Sequence, residues 1–430
     1  MKIRITQKTE YSLGAMSLMA VGIYLTITHS SGLLDLVWLA LGGFYIVTHR
    51  VDTTILMLLF LAPFEMWLPV NILYFFTLIV AILKTGRTTR LAVLCTFVFV
   101  IILVQWICTT DGKISIMLKV LMVWVAVFYF LLRGYREEQP EKLCRAFWMG
   151  AMVFSVDVLS VSWRYAGLYV LESRLGGGQL AIKLPENVQI PSENVIGLIM
   201  AMAIISALLE MYYTGKPRYF HVLWFFITGL QTKSTTFLIL YVVTNILYFI
   251  FLVPKGRSRT VQLVGEGILG FFGLGALYIV YPVFFKYFIR RLTLEDITNG
   301  RAEIFDLFNQ GFIKGDMWNI LLGYGTQKID YLADGHGLHN GVQGLYVQYG
   351  IMGFLCVIFV MFYLVWMSYR NRFNKESFVV SLLPLLVFLL GIETMNLSCI
   401  WFLPSLLMLS LSKVQGGEKR CTLPSPEADL

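Results

Sequence analysis

Charge is scarce in this chain: Asp, Glu, Lys and Arg make up only 14% of its 430 residues, where a soluble domain carries roughly a quarter. Hydrophobic residues account for 57% and the mean hydropathy is +0.72. Together these exclude an ordinary soluble domain and point to an all-α polytopic membrane protein. Cysteine offers no framework either. Cys95, Cys108, Cys144, Cys356, Cys399 and Cys421 are scattered over apolar runs, their ends and the basic side, so neither a disulfide set nor a metal-ligand spacing is present. There is no P-loop or dinucleotide fingerprint. No clear internal repeat of the kind common in transporters is visible. The formal charge of +8 is dispersed in short basic clusters between apolar runs, which is a pattern of membrane topology and not a nucleic-acid footprint.

Reading apolar runs as spans predicts about fourteen transmembrane helices, with a range of about 12 to 14. They fall at 12–29, 33–48, 53–64, 67–83, 90–109, 115–132, 145–163, 193–213, 219–232, 235–253, 262–285, 341–367, 378–395 and 397–412, the third and ninth being short. Basic clusters at Lys2/Arg4/Lys8, Lys84/Arg87/Arg90, Arg133/Arg136, Lys216/Arg218, Lys255/Arg257/Arg259, Arg370/Arg372/Lys375 and Lys413/Lys419/Arg420 all fall on one side if spans alternate. The positive-inside rule makes that side cytoplasmic, with both termini on it. The expected organisation is one transmembrane domain over residues 1–412 and a polar, disordered cytoplasmic tail over 413–430. The basic start at Lys2-Ile3-Arg4 precedes no convincing cleavage site and reads as a retained first helix.

Two extracytoplasmic loops, 164–192 and 286–340, are long enough to hold a site. The second keeps Arg290, Arg291 and Arg301 on the side where basic residues are usually few. Within it Asn299 is a candidate N-cap, and Ile304, Phe308 and Phe312 recur at helical spacing, which predicts an amphipathic helix over 299–313 lying on the membrane surface. Arg301 then occupies the first turn, where a guanidinium opposes the helix dipole but, with the free N–H groups, suits an anion. The plainer reading is an interfacial arginine pairing with lipid headgroups. The loop ends in Gly335-His336-Gly337-Leu338-His339-Asn340, followed by Gln343 and Tyr346. A helix opening near Asn340 would hold the His339 imidazole neutral, fit to accept a proton, with Gln343 and Tyr346 on the same face. His336 is the weaker of the two histidines. An interfacial histidine bonded to a backbone carbonyl is the structural alternative for His339, and an anchor beside a span is that for Arg291. Asp157, Lys119, Glu266 and Glu393 fall within predicted spans, Asp157 seven residues before Arg164 on the same face.

Taken in order, Arg174-Leu175-Gly176, Asn194, Gly197, Ser234-Thr235-Thr236, Gly300-Arg301, Gly323-Tyr324-Gly325, His339-Asn340, Gly350 and Gly353 resemble the O-antigen and capsular polysaccharide polymerase and O-antigen ligase superfamily. The resemblance covers residues from about 170 to 365. It implies a glycosyltransferase of the GT-C type in a bacterial cytoplasmic membrane, with its active site extracytoplasmic. No nucleotide sugar, metal or other cofactor is implied. The expected partners are a glycan donor on undecaprenyl diphosphate, membrane lipid and a chain-length regulator protein; nucleic acid is not among them. By the same resemblance His339 and Arg301 are catalytic, His339 as base for the acceptor hydroxyl. Arg174, Lys233 and Arg291 bind the diphosphate, and His336, Asn340 and Ser234 support the site. The chain departs from the family at Ser234-Thr235, where Ser-Arg is common. Lys233 could supply that charge, as a point and not a fork. Inversion by direct displacement is implied, and no pair of carboxylates stands out for double displacement. A polymerase is favoured over a ligase because no feature dedicated to a specific lipid or protein acceptor is visible. A flippase is the third reading.

Overall fold

The computed structural model of the protein describes residues 33–65, 68–85, 140–166, 193–232, 234–252, 301–324, 342–344 and 346–355. Among these residues 89% are helical and none forms a strand. In chain order the helices are α1 (Leu33–Thr48), α2 (Val51–Leu61), α3 (Val70–Thr85), α4 (Pro140–Ala166), α5 (Glu193–Thr214), α6 (Tyr219–Gln231), α7 (Thr235–Leu247), α8 (Arg301–Ile313) and α9 (Met317–Leu322). Residues 342–344 and 346–355 are also helical and are called the distal segment below. The expected spans at 12–29, 90–109, 115–132, 262–285, 378–395 and 397–412 lie outside the described residues, as does the tail at 413–430.

The main core is built around α5, which α4, α6 and α7 all pack against, while α2 packs on α4 and α1 on α3. Nearly every side chain of α5 from Val195 to Met211 is buried, as expected of a helix apolar all round. It is the one helix among the described residues that is long and apolar enough to cross a membrane. Its end is set by Gly215, whose φ of 66° and N–H bond to the Met211 carbonyl (2.8 Å) form a left-handed cap, with Pro217 just beyond. α2 ends before Pro63, which lacks an N–H and crowds the preceding turn, so the chain tightens into a 3-10 turn at Ala62–Phe64.

Among the described residues α2 and α4 approach each other closely. A Cβ at Gly150 would stand 1.9 Å from the Phe60 carbonyl oxygen, so only glycine lets the two backbones meet. Farther along, α4 differs from its expected span of 145–163. It begins five residues earlier and ends three later, so the first three residues of the expected 164–192 loop are helical. The apolar run starts only after Arg145, but a helix needs no apolar first turn. Pro140 suits the first position because its missing N–H has no partner there, and Glu141 faces the positive end of the dipole.

The charged opening of α4 explains the strongest polar contact of the bundle. Glu210, near the end of α5, is fully buried and accepts from three side chains. Arg145 donates to Oε1 from Nε at 2.7 Å and from Nη2 at 2.6 Å, Arg218 donates to the same oxygen at 2.9 Å, and Trp148 Nε1 donates to Oε2 at 2.5 Å. Two guanidinium groups on one carboxylate join α4, α5 and the residue preceding α6. Farther along, Trp224 of α6 donates to Ser155 of α4 at 2.7 Å.

Candidate functional site

α8 begins at Arg301 and is held by the face its sequence predicts. Phe308 and Phe312 are buried, and Ile304 packs with them against Val347 and Tyr346 of the distal segment. An expected loop thus contains two helices. After Lys314 and Gly315 the chain turns into α9, where Asp316 caps the helix by accepting from the Asn319 N–H at 2.7 Å. The second helix has no long apolar run to announce it.

Polar bonds register α8 on the distal segment. Gln343 Nε2 donates to the Phe305 carbonyl at 2.7 Å and to Asn309 Oδ1 at 3.2 Å, and the Tyr346 hydroxyl donates to the same Asn309 oxygen. One turn farther, the Tyr346 and Phe312 rings meet at 5.3 Å. Contacts therefore advance together, from Gln343 with Phe305 to Tyr346 with Phe312, so the two helices run the same way. Gln343 is 1% exposed, and its buried amide is met by Asn309 and a helix carbonyl.

Just beyond α9 the backbone itself makes the contact. Gly323 (φ 86°) and Gly350 (φ 65°) lie back to back. A Cβ at Gly323 would stand 2.2 Å from the Gln348 carbonyl oxygen, and one at Gly350 would stand 2.3 Å from that of Leu321. Both the left-handed backbone and the space demand glycine. Next to this crossing Tyr324 donates its N–H to the Val347 carbonyl (2.8 Å) and its hydroxyl to the Gly311 carbonyl (3.2 Å). Burial pushes the Tyr324 phenol above its ordinary pKa, and the Asp316 carboxylate adds to the shift, so the hydroxyl remains a donor. Its ring packs on Phe312 and not outward, whereas Trp318 is 71% exposed.

A second pair of sequence motifs meets at the start of α5. A Cβ at Gly197 would lie 3.0 Å from Thr232 Oγ1 and 3.2 Å from the Ser234 Cβ, so the turn between α6 and α7 sits directly on α5. Ser234 is 6% exposed and caps α7, its hydroxyl accepting from the Phe237 N–H at 3.2 Å. That gives Ser234 a structural duty the sequence reading did not assign. Of the other expected site residues, Arg301 is in the first turn of α8, as the sequence predicts, while the expected N-cap Asn299 lies outside the described residues. Arg174, Lys233, Arg291, His336, His339 and Asn340 lie outside the described residues. The expected shared face of Gln343 and Tyr346 is present, and it is the face against α8. Asp157 is buried in α4.

Two residues escaped the sequence reading. Asn309 interrupts the apolar stripe of Ile304, Phe308 and Phe312 from one side, and a lone amide next to such a stripe was the available signal. Glu210 is an acid inside a predicted span, which by itself calls for a partner. No protein-family model matches the chain, and no characterised protein matches it.

Proposed function

We propose that the protein is a polytopic membrane glycosyltransferase of the GT-C type, a polysaccharide polymerase. It would join undecaprenyl-diphosphate-linked repeat units at the outer face of a bacterial cytoplasmic membrane. The observation that carries this reading is the register of α8 on the distal segment. Arg301 precedes Phe305 by one helical turn, and His339 precedes Gln343 by the same four residues. α8, whose first turn holds Arg301, is thereby joined to the segment that follows His339-Asn340 in the chain, and its start is the positive end of a helix dipole, suited to an anionic donor.

The exposed surface of the bundle supports the membrane part. Leu36, Phe44, Phe220, Leu223, Val242, Ile246 and Ile250 are all at least half exposed, on helices whose other faces form the core. Such faces are at home in hydrocarbon and would be a liability in water. The motif glycines Gly197, Gly323 and Gly350 each lie at a close approach between segments, which supports the resemblance piece by piece.

In the proposed reaction Arg301, with Arg174, Lys233 and Arg291, binds the diphosphate and stabilises charge as the glycosidic bond breaks. His339 takes the proton from the acceptor hydroxyl, which attacks the anomeric carbon from the opposite face, and undecaprenyl diphosphate leaves. His336, Asn340 and Ser234 support the site. The test is deletion of the gene in its native host, followed by electrophoresis of the surface glycan and rescue by variants. A glycan reduced to single repeat units, rescued by the wild type but by neither Arg301→Ala nor His339→Ala at equal protein level, supports the reading. Polymer stranded on undecaprenyl diphosphate would indicate a ligase, and single units trapped on the inner leaflet a flippase. Full rescue by either variant removes that residue from the mechanism.

A further inference from the structure

The seam between α4 and α6 carries features that the proposed transfer reaction does not use. The two helices run the same way, since Trp148 meets His221 (ring centroids 4.4 Å) and, farther along, Ser155 meets Trp224. For parallel helices, one step forward from the seam on the first and one step back on the second lead to the same side. Met149 and Val156 follow Trp148 and Ser155, while Phe220 and Leu223 precede His221 and Trp224. These four flank the seam on one common face and are 40%, 51%, 68% and 55% exposed. α5, buried almost throughout, packs against both helices. Ile227 (47% exposed) continues the strip, which runs about 10 Å from Phe220 at the helical rise per residue.

At the start of the strip basic side chains outnumber acidic ones. Arg145 and Arg218 share one oxygen of Glu210, which leaves one positive charge uncompensated, and their side chains are 36% and 22% exposed. Lys142 and Lys216 are exposed in the same opening segments of the two helices. Arg218 also precedes α6 with no side chain capping that helix, so the positive end of its dipole adds to the field. Among the described residues the buried Arg218 Nε and His221 Nδ1 atoms have no hydrogen-bond partner, and Arg218 lies 5.5 Å over the Trp148 ring. A cationic head beside an exposed apolar strip matches one class of molecule.

We infer that the α4–α6 seam binds a glycerophospholipid with an anionic headgroup. The headgroup lies on Arg145, Arg218 and Lys216, and an acyl chain lies along Phe220, Leu223 and Met149. The inference rests on the membrane part of the reading above and is independent of the glycosyl-transfer chemistry. Clustered basic residues attract anionic headgroups at a membrane surface, and the strip adds apolar burial.

The test uses the full chain purified in a neutral detergent, with thermal unfolding followed as lipid is added. Phosphatidylglycerol should raise the midpoint at concentrations about fivefold below those at which phosphatidylcholine does, with inorganic phosphate inert. Changing Arg145, Glu210 and Arg218 together to Gln leaves no stranded buried charge and should abolish the preference. Phe220→Gln, at an exposed position that leaves folding intact, should weaken both lipids. Equal action of the two lipids, unchanged preference in the triple variant, or stabilisation by phosphate alone overturns the inference. A chain that stays soluble without detergent overturns the membrane reading instead, so the two failures are distinguishable.

Discussion

Among the described residues, the polar cluster at the end of α5 and the one between α8 and the distal segment join helices by opposite means. At the end of α5 a fully buried carboxylate is neutralised by two guanidinium groups and an indole N–H. Between α8 and the distal segment a single neutral amide, Asn309, receives two donors while Gln343 also reaches a helix carbonyl. The ionic junction is strong only while complete, because removing one member leaves a charge in a medium that solvates it poorly. The neutral junction gives less and forgives more, and its bonds are directional, so it specifies register. The bundle core uses the first, and the segment that carries the candidate chemistry uses the second.

The largest effect should come from breaking the ionic junction. Glu210→Ala strands Arg145 and Arg218 against each other, and a loss of about 3–5 kcal/mol, or failure to accumulate, is expected in thermal or denaturant unfolding. Glu210→Leu combined with Arg145→Met and Arg218→Met should recover much of that loss, since an apolar replacement of all three partners removes the stranded charges. If the triple variant is as poor as the single one, the ionic account is wrong.

Next come the backbone crossings. Gly150→Ala and Gly323→Ala each drive a methyl group into a carbonyl oxygen, and about 1–3 kcal/mol is expected from each. Gly215→Ala is the control. It has a φ of 66° but nothing within 4 Å of the added carbon, so only the left-handed strain of about 1 kcal/mol should appear. Equal losses at Gly215 and Gly150 would mean that close approach is not what requires glycine at Gly150.

Breaking the neutral junction should cost about 1–3 kcal/mol. Asn309→Leu removes the oxygen that accepts from both Gln343 Nε2 and the Tyr346 hydroxyl, leaving Gln343 its bond to the Phe305 carbonyl, whereas Asn309→Asp keeps that acceptor. Hydrogen exchange over residues 342–355 should rise in the first variant and much less in the second. A uniform rise in both would mean that Asn309 fills space and does not set register.

The smallest effect is expected at Ser234. Loss of the α7 cap in Ser234→Ala should lower stability by about 1 kcal/mol, read by thermal unfolding, with Ser234→Asp close to wild type. If the glycan phenotype is lost at unchanged stability, Ser234 touches substrate in addition to capping its helix.

Much of the helical layout was legible. The apolar runs at 33–48, 193–213 and 219–232 became α1, α5 and α6 with ends moved by a residue or less. The reason is local: a helix buried on most sides needs an unbroken apolar run, and glycine or proline ends it. α4 was misjudged at its start because hydropathy cannot see a charged first turn that belongs to the helix. α9 was missed because six residues carry too little periodicity to separate a helix from a loop. On α8 the stripe of Ile304, Phe308 and Phe312 was read correctly, while what it packs against was not.

The sequence by itself determined the helical class, the apolar core of α5, the amphipathic face of α8 and the place of Arg301 in the first turn of that helix. These follow from composition and a period of 3.6 residues, which act between near neighbours in the chain. Only the tertiary structure decided that Glu210 would take Arg145 and Arg218, that Asn309 would face Gln343 and Tyr346, and that Gly323 would cross Gly350. Those contacts join residues 8 to 65 positions apart in the chain. They depend on which helices pack together and in what direction, and neither hydropathy nor local propensity carries that information.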